Sequence, residues 1–239
     1  MNKRILKLAA TMAFAIGFIV NAHATLIGVQ DHGAYLTDTA SGLDWLDVTA
    51  TVNMSYDEVS AQLGTGGAFE GWSYATATQF ASLVDDATGI TSGITGADQA
   101  YIYSNSNTTI HELIGLLGDT LDMFYQHTFG QSYCEVNPTS CPNGDQVETR
   151  GLLADVYPDS VPSHYAGTLL DGYNSDGSNL KVMRTMDVYY DSGSSYYFGS
   201  FLVRNSVPLS AVPEPPALLL VALGLVFLIP VRKRCQALQ

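Results

Sequence analysis

Cys134 and Cys141 are the residues of this chain whose type and spacing most plainly imply chemistry. They sit in a stretch rich in Asn, Pro, Ser and Gly (CEVNPTSCPNGD) and in an oxidising compartment are expected to close a local disulfide. A metal site is the weaker alternative, because no further Cys or His pair stands at ligand spacing nearby. The histidines beyond the N-terminal segment, His32, His111, His127 and His164, are not at ligand spacing from one another. His111-Glu112 begins like a zinc-protease helix, but Gly115 occupies the position where a second His is required.

Other signatures also fail on inspection. The run Asp171 to Asn179 (DGYNSDGSN) resembles a calcium loop, yet the register that fits Asn174, Asp176 and Gly177 puts Gly172 first and Met183 where the closing Glu belongs. It is read as a solvated turn. Glu135-Val136-Asn137-Pro138 is not the Glu-Pro-Asn triplet of calcium-dependent sugar binding. No Gly-x-Ser-x-Gly elbow, phosphate loop or dinucleotide fingerprint occurs. Trp45, Trp72 and Tyr74 could form a sugar platform, but aromatic residues in such places are read as core. No catalytic residue, metal or cofactor is therefore expected, and the chain is read as noncatalytic.

The ends of the chain carry a different kind of information. Lys3, Arg4 and Lys7 precede an apolar run from Leu8 to Val20 and the small-x-small site Ala22-His23-Ala24, the three-part form of a secretory signal. Cleavage is expected after Ala24, leaving residues 1–24 as a signal peptide handled by the secretion translocase and signal peptidase. At the other end, Ala217 to Val231 is apolar and is followed directly by Arg232, Lys233 and Arg234. With the residues from about 213 included, the run is long enough for a membrane helix, and the basic trio acts as a stop-transfer signal on the cytoplasmic side. Cys235 then faces the cytoplasm unpaired.

Between domain and tail the chain reads Ser210-Ala211-Val212-Pro213-Glu214-Pro215-Pro216. Proline keeps such a junction extended and open to a processing enzyme. Val212-Pro213-Glu214-Pro215, the hydrophobic span and the basic cluster together resemble a PEP-CTERM sorting signal, with Pro213, Glu214 and Pro215 as its recognition motif. The resemblance implies recognition by a membrane-embedded exosortase, removal of the tail, and delivery to the surface or extracellular matrix of a Gram-negative bacterium. Pro230 and the five residues after the basic cluster depart from the pattern.

Charge is segregated. Residues 25–211 carry 22 acids against the 4 bases Arg150, Lys181, Arg184 and Arg204, a net charge of −18, whereas six bases lie in the two targeting segments. So acidic a body repels nucleic-acid phosphates and excludes nucleic-acid binding.

Residues 25–205 contain no repeat and no long linker, and are read as one extracytoplasmic α+β domain with mixed or antiparallel strands and about three helices. Strands are expected at Leu26 to Val29, Tyr35 to Thr37 and Leu43 to Leu46. Capping boxes Ser55-x-x-Glu58, Thr76-x-x-Gln79 and Thr109-x-x-Glu112 announce the helices. The third is expected to be the longest, with Ile110, Leu113, Ile114, Leu117, Leu121 and Phe124 on one stripe. Late strands are expected at Gly151 to Tyr157, Val182 to Tyr190 and Tyr196 to Val203, the last two joined as a hairpin by Asp191-Ser192-Gly193-Ser194.

The segments Leu36-Thr37-Asp38, Ser41-Gly42-Leu43-Asp44-Trp45-Leu46-Asp47, Ser55-Tyr56 and Gly66 to Thr76 (GGAFEGWSYAT), with the close Phe198-Gly199-Ser200-Phe201-Leu202-Val203-Arg204, resemble Lcl C-terminal-type domains of exported bacterial proteins. That resemblance implies a C-type-lectin-like fold and no reaction. Residues 89–144 match nothing in it, and the Cys common near the family's first helix and last strand is absent. The sequence reading is thus a surface or matrix protein, membrane-anchored as a precursor and binding extracellular polysaccharide. A secreted hydrolase using His127 or His164 and a calcium-stabilised adhesion module built on the Asp171 loop are its alternatives.

Overall fold

Side-chain capping decides where the first two helices begin. Ser55 accepts the Glu58 amide and Glu58 returns the bond, opening α1 (Tyr56–Ser60); Thr76 and Gln79 do the same for α2 (Ala77–Thr88). Phe80, Leu83 and Val84 on α2 are fully buried. The computed structural model describes residues 26–103, 109–138, 141, 146–159, 161–173 and 179–206. The signal segment with Ala22 and Ala24, the sorting motif Val212 to Pro215, the expected span at 213–231 and the basic cluster Arg232 to Arg234 lie outside them. Among the described residues no helix is long and apolar enough to cross a membrane. Contacts divide the chain into Met1–Arg204 and Asn205–Gln239, and the architecture below belongs to the first.

The long third helix of the sequence reading is two helices, α3 (Thr109–Leu117) and α4 (Thr120–Phe129). The break has a steric cause. Gly118 takes φ +98°, a left-handed conformation, and a Cβ there would lie 2.3 Å from Asp47 Oδ1. Asp119 then caps α4 by accepting the Leu121 and Asp122 amides. Thr109, expected to precede α3, is the first residue of that helix. A further short helix, α5 (Tyr133–Val136), opens on the capping box Ser132-x-x-Glu135.

The α+β class holds, with five α-helices and ten strands among the described residues. One sheet runs in the order β1 (Val29–Asp31), β2 (Tyr35–Asp38), β3 (Leu43–Leu46), β10 (Leu202–Asn205), β4 (Ser73–Tyr74). The other runs β5 (Ala100–Tyr103), β8 (Asn179–Tyr190), β7 (Ser163–Tyr173), β6 (Val147–Val156), β9 (Gly199–Ser200). Its first three pairings are antiparallel, and β6 with β9 is parallel.

The hairpin expected across Asp191 to Ser194 does not form. β8 pairs with β5 and β7, while that turn bonds to the chain near α1, through Asn53 N–H to Ser195 O and Asp57 N–H to Asp191 O. The chain then enters β9 beside β6 and changes sheet at Phe201, whose amide donates to Leu152 O and whose carbonyl accepts from Ala75 N–H.

The main core gathers Leu36 and Trp45 from one sheet, Leu169 and Met183 from the other, and the buried faces of α2 and α3. Phe201 sits among them, 4.5 Å from the Phe80 ring and 6.3 Å from Trp45. Gly167 is required here, since a Cβ would come within 3.0 Å of both Phe80 and Phe201. A second cluster joins Val59, Tyr74, Leu152, Phe198 and Leu202.

Candidate functional site: an aromatic cleft beside the disulfide

α4 ends at Gly130, whose φ of +69° turns the chain back, and the Ser132–Glu135 capping box starts α5 immediately afterwards. The Tyr133 amide donates to Asp122 Oδ1 at 3.0 Å, which docks α5 on α4. Cys134 of α5 is disulfide-bonded to Cys141, with Cα atoms 5.6 Å apart, and its sulfur also accepts the Gln146 amide at 3.3 Å. α4 is fixed to β6 in turn: Asp119 Oδ1 accepts the Glu148 amide, Thr120 Oγ1 donates to Glu148 O, and Thr120 Oγ1 accepts the Arg150 amide.

These constraints build a cleft of about 420 Å³ lined by Leu121, Phe124, Tyr125, Tyr133, Gln146, Ser195 and Tyr197. Its volume lies within the range of about 300–1,000 Å³ usual for small-ligand sites. Tyr197, Phe124, Tyr125 and Tyr133 form a continuous run of edge-to-face rings, with successive centroids 5.5, 5.2 and 4.9 Å apart. All four rings are half-buried. Phe124, expected on the core stripe, therefore lines the cleft instead.

Behind Tyr197 lies a buried polar cluster. Tyr197 O–H donates to Glu148 Oε2 at 2.8 Å, Arg150 bonds the other oxygen of Glu148 at 2.5 Å, and the Arg150 guanidinium also stacks 4.4 Å from the Tyr197 ring. Arg150 donates to Tyr189 Oη at 2.7 Å. Burial works against the Arg150 charge, but Glu148, Tyr189, Tyr197 and Asp187 hold its pKa above the ordinary value. Burial, with the Glu148 carboxylate adding to it, raises the Tyr197 pKa, so this phenol stays protonated as a donor.

A smaller hollow of about 100 Å³ adjoins the cleft and shares Gln146, with Asp119, Asp122, Ser132, Cys134 and Val147 around it. Burial pushes the Asp119 carboxyl up to about 6, against the pull of three backbone donors.

The other residues singled out from the sequence are dispersed. Trp45 is core, Trp72 lies 4.3 Å under the Arg204 guanidinium, and Tyr74 stacks on Tyr56, which stacks in turn on His164. They form no common platform. His164 Nδ1 meets the single carboxylate of Asp191 at 2.7 Å, and His127 stacks on Tyr196. Neither lines the cleft. His111 is exposed in the first turn of its helix, with Nδ1 3.3 Å from Asp171 Oδ2. Asp171 is also paired with Lys181 at 2.5 Å, while 174–178 of the calcium-like run lie outside the described residues. Among the described residues no group of three or more His, Cys, Asp or Glu is arranged to hold a metal.

The aromatic wall was accessible to sequence reading only as a density of rings, in Phe124-Tyr125, Tyr133 and Tyr196-Tyr197, on three separate segments. Comparison with family models, curated proteins and solved structures finds no match to this chain.

Proposed function

We propose that this chain is an exported, noncatalytic surface or matrix protein of a Gram-negative bacterium, sorted by an exosortase through its tail and binding extracellular polysaccharide. The observation that carries the reading is the order of parts at the C-terminus: Val212-Pro213-Glu214-Pro215, an apolar run, then Arg232-Lys233-Arg234. An N-terminal signal with Ala22 and Ala24 at its cleavage site agrees with export, and a disulfide between Cys134 and Cys141 agrees with an oxidising destination. The precursor is anchored in the inner membrane and passes to the surface when the tail is removed. The Lcl-type sequence segments support a C-type-lectin-like arrangement for the domain.

Polysaccharide binding draws support from a cleft walled by aromatic rings and neutral polar groups. Fractionation of cells producing the full-length chain tests the sorting half. The native protein is expected at the surface or in the medium, and a P213A/E214A variant in the inner membrane. Identical distribution of the two contradicts the reading.

A further inference from the structure

We propose that the cleft between α4, α5 and the Ser195–Tyr197 segment holds a ring of an uncharged polysaccharide, a neutral pyranose, stacked on its tyrosine and phenylalanine wall. This rests on the polysaccharide-binding half of the reading above and assigns it a site and a ligand class.

The wall calls for a ligand with an apolar face. Four aromatic rings stand half-buried in one edge-to-face run, an arrangement that holds each ring at fixed orientation at small entropic cost. A pyranose has such a face in its axial C–H groups and carries hydroxyls around its rim. The cleft has matching groups: the Gln146 amide, the Ser195 hydroxyl and the phenols of Tyr125 and Tyr133. Among the described residues those two phenols make no hydrogen bond within the protein. Ser195 Oγ accepts the Tyr197 amide at 3.1 Å and keeps its proton for a ligand oxygen. A wholly apolar ligand would desolvate the Gln146 and Ser195 groups without replacing their hydrogen bonds.

Charge selects among sugars. Among the described residues no charged side chain lines the cleft. The Arg150 guanidinium lies behind Tyr197, bonded to Glu148 and Tyr189, and is not part of the cleft lining. Asp119 and Asp122 border the neighbouring hollow, and the body carries 22 acids against 4 bases. Uronate, sulfated or phosphorylated glycans are repelled by this field, whereas neutral ones are indifferent to it.

Calorimetric titration of the full-length protein in a sugar-free zwitterionic detergent tests the assignment. The probes are cellohexaose, laminarihexaose and chitohexaose, a galacturonate hexamer, and a Trp-containing neutral peptide. At least one neutral hexaose is expected to bind, with the galacturonate hexamer and the peptide weaker or silent. Y133A and Y125A are expected to weaken binding by about tenfold or more. Y133F keeps the ring and should lose less than Y133A. Y190A, at an exposed position of β8, should bind as the native protein does, and unchanged melting curves certify folding of each variant.

Silence towards all three neutral hexaoses overturns the proposal, as does preference for the galacturonate or the peptide. Binding that survives Y125A and Y133A overturns the site while leaving polysaccharide binding intact. Surface delivery read on the same strains is independent of every one of these results, so failure of the sorting reading would be recognised separately.

Discussion

Asp119 caps α4 with a carboxylate whose burial resists its own charge, and replacing it with Asn separates those two roles. Asn is as good an N-cap as Asp, and its amide oxygen can accept the Leu121, Asp122 and Glu148 amides as Oδ1 does. The folded-state pKa is about 6 against 3.8 for the free group. At about 1.4 kcal/mol per unit this puts the cost of keeping Asp119 charged near 3 kcal/mol, reduced to about 2 kcal/mol by partial solvent screening.

Because the folded protein binds the proton more tightly than the unfolded chain, this contribution to stability falls as pH rises and is most unfavourable above about 6. Between 6 and 3.8 the cost fades as the folded carboxyl takes up its proton. Asp119→Asn is therefore expected to stabilise the protein by about 2 kcal/mol at pH 7.5, a rise in Tm of about 4–8 °C, and by less than about 1 kcal/mol at pH 4.5. Denaturant unfolding of the full-length native and variant proteins across that range gives the answer. A variant that is less stable at pH 7.5, or whose advantage does not shrink with acid, refutes the argument and shows that the anionic cap outweighs burial.

Gly118→Ala should cost at least about 2 kcal/mol by denaturant unfolding, because φ is +98° and the new Cβ would meet Asp47 and Thr49; a neutral effect would mean that the α3–α4 junction is pliant. Reduction of Cys134–Cys141, or the C134A/C141A variant, frees only a short loop and should lower stability by about 2–3 kcal/mol. It should also weaken ligand binding, since Cys134 holds α5 and with it Tyr133; circular dichroism and titration read the two effects. Arg150→Met strands the buried Glu148 carboxylate and is expected to destabilise by about 3–5 kcal/mol at neutral pH, with Glu148→Gln in the same chain recovering part of it. Equal melting of the single and double variants would contradict that pairing.

The parts of the fold legible in the sequence are those set by local chemistry. Ser55 with Glu58 and Thr76 with Gln79 are reciprocal hydrogen bonds between near neighbours, and they open helices where the pattern places them. Ser132 with Glu135 is the same signal, but the helix it opens is too short to display an apolar period. β7 is not legible in the sequence, for a different reason. It lies between β8 and β6 and is buried on both faces, so Ser163 to Tyr173 does not alternate, and Gly167 and Gly172 lower its strand propensity.

Non-local contacts decided what the sequence left ambiguous. Gly118 falls inside an apolar stripe, but Asp47 stands against it in the folded chain, and Asp191 to Ser194 has the composition of a hairpin turn, but Asp191 O accepts the Asp57 amide of α1. The cleft belongs to this second kind. Phe124, Tyr133 and Tyr197 come from three segments that meet only in the folded chain, and no spacing in the sequence joins them.

The central claim is that the tail is a removable address, and intact-mass analysis of the mature C-terminus tests it most directly. Protein recovered from the surface or medium is predicted to end near Val212-Pro213-Glu214-Pro215, having lost the apolar run and Arg232-Lys233-Arg234, while the P213A/E214A chain keeps Gln239. A surface-recovered native protein still ending at Gln239 would contradict the account.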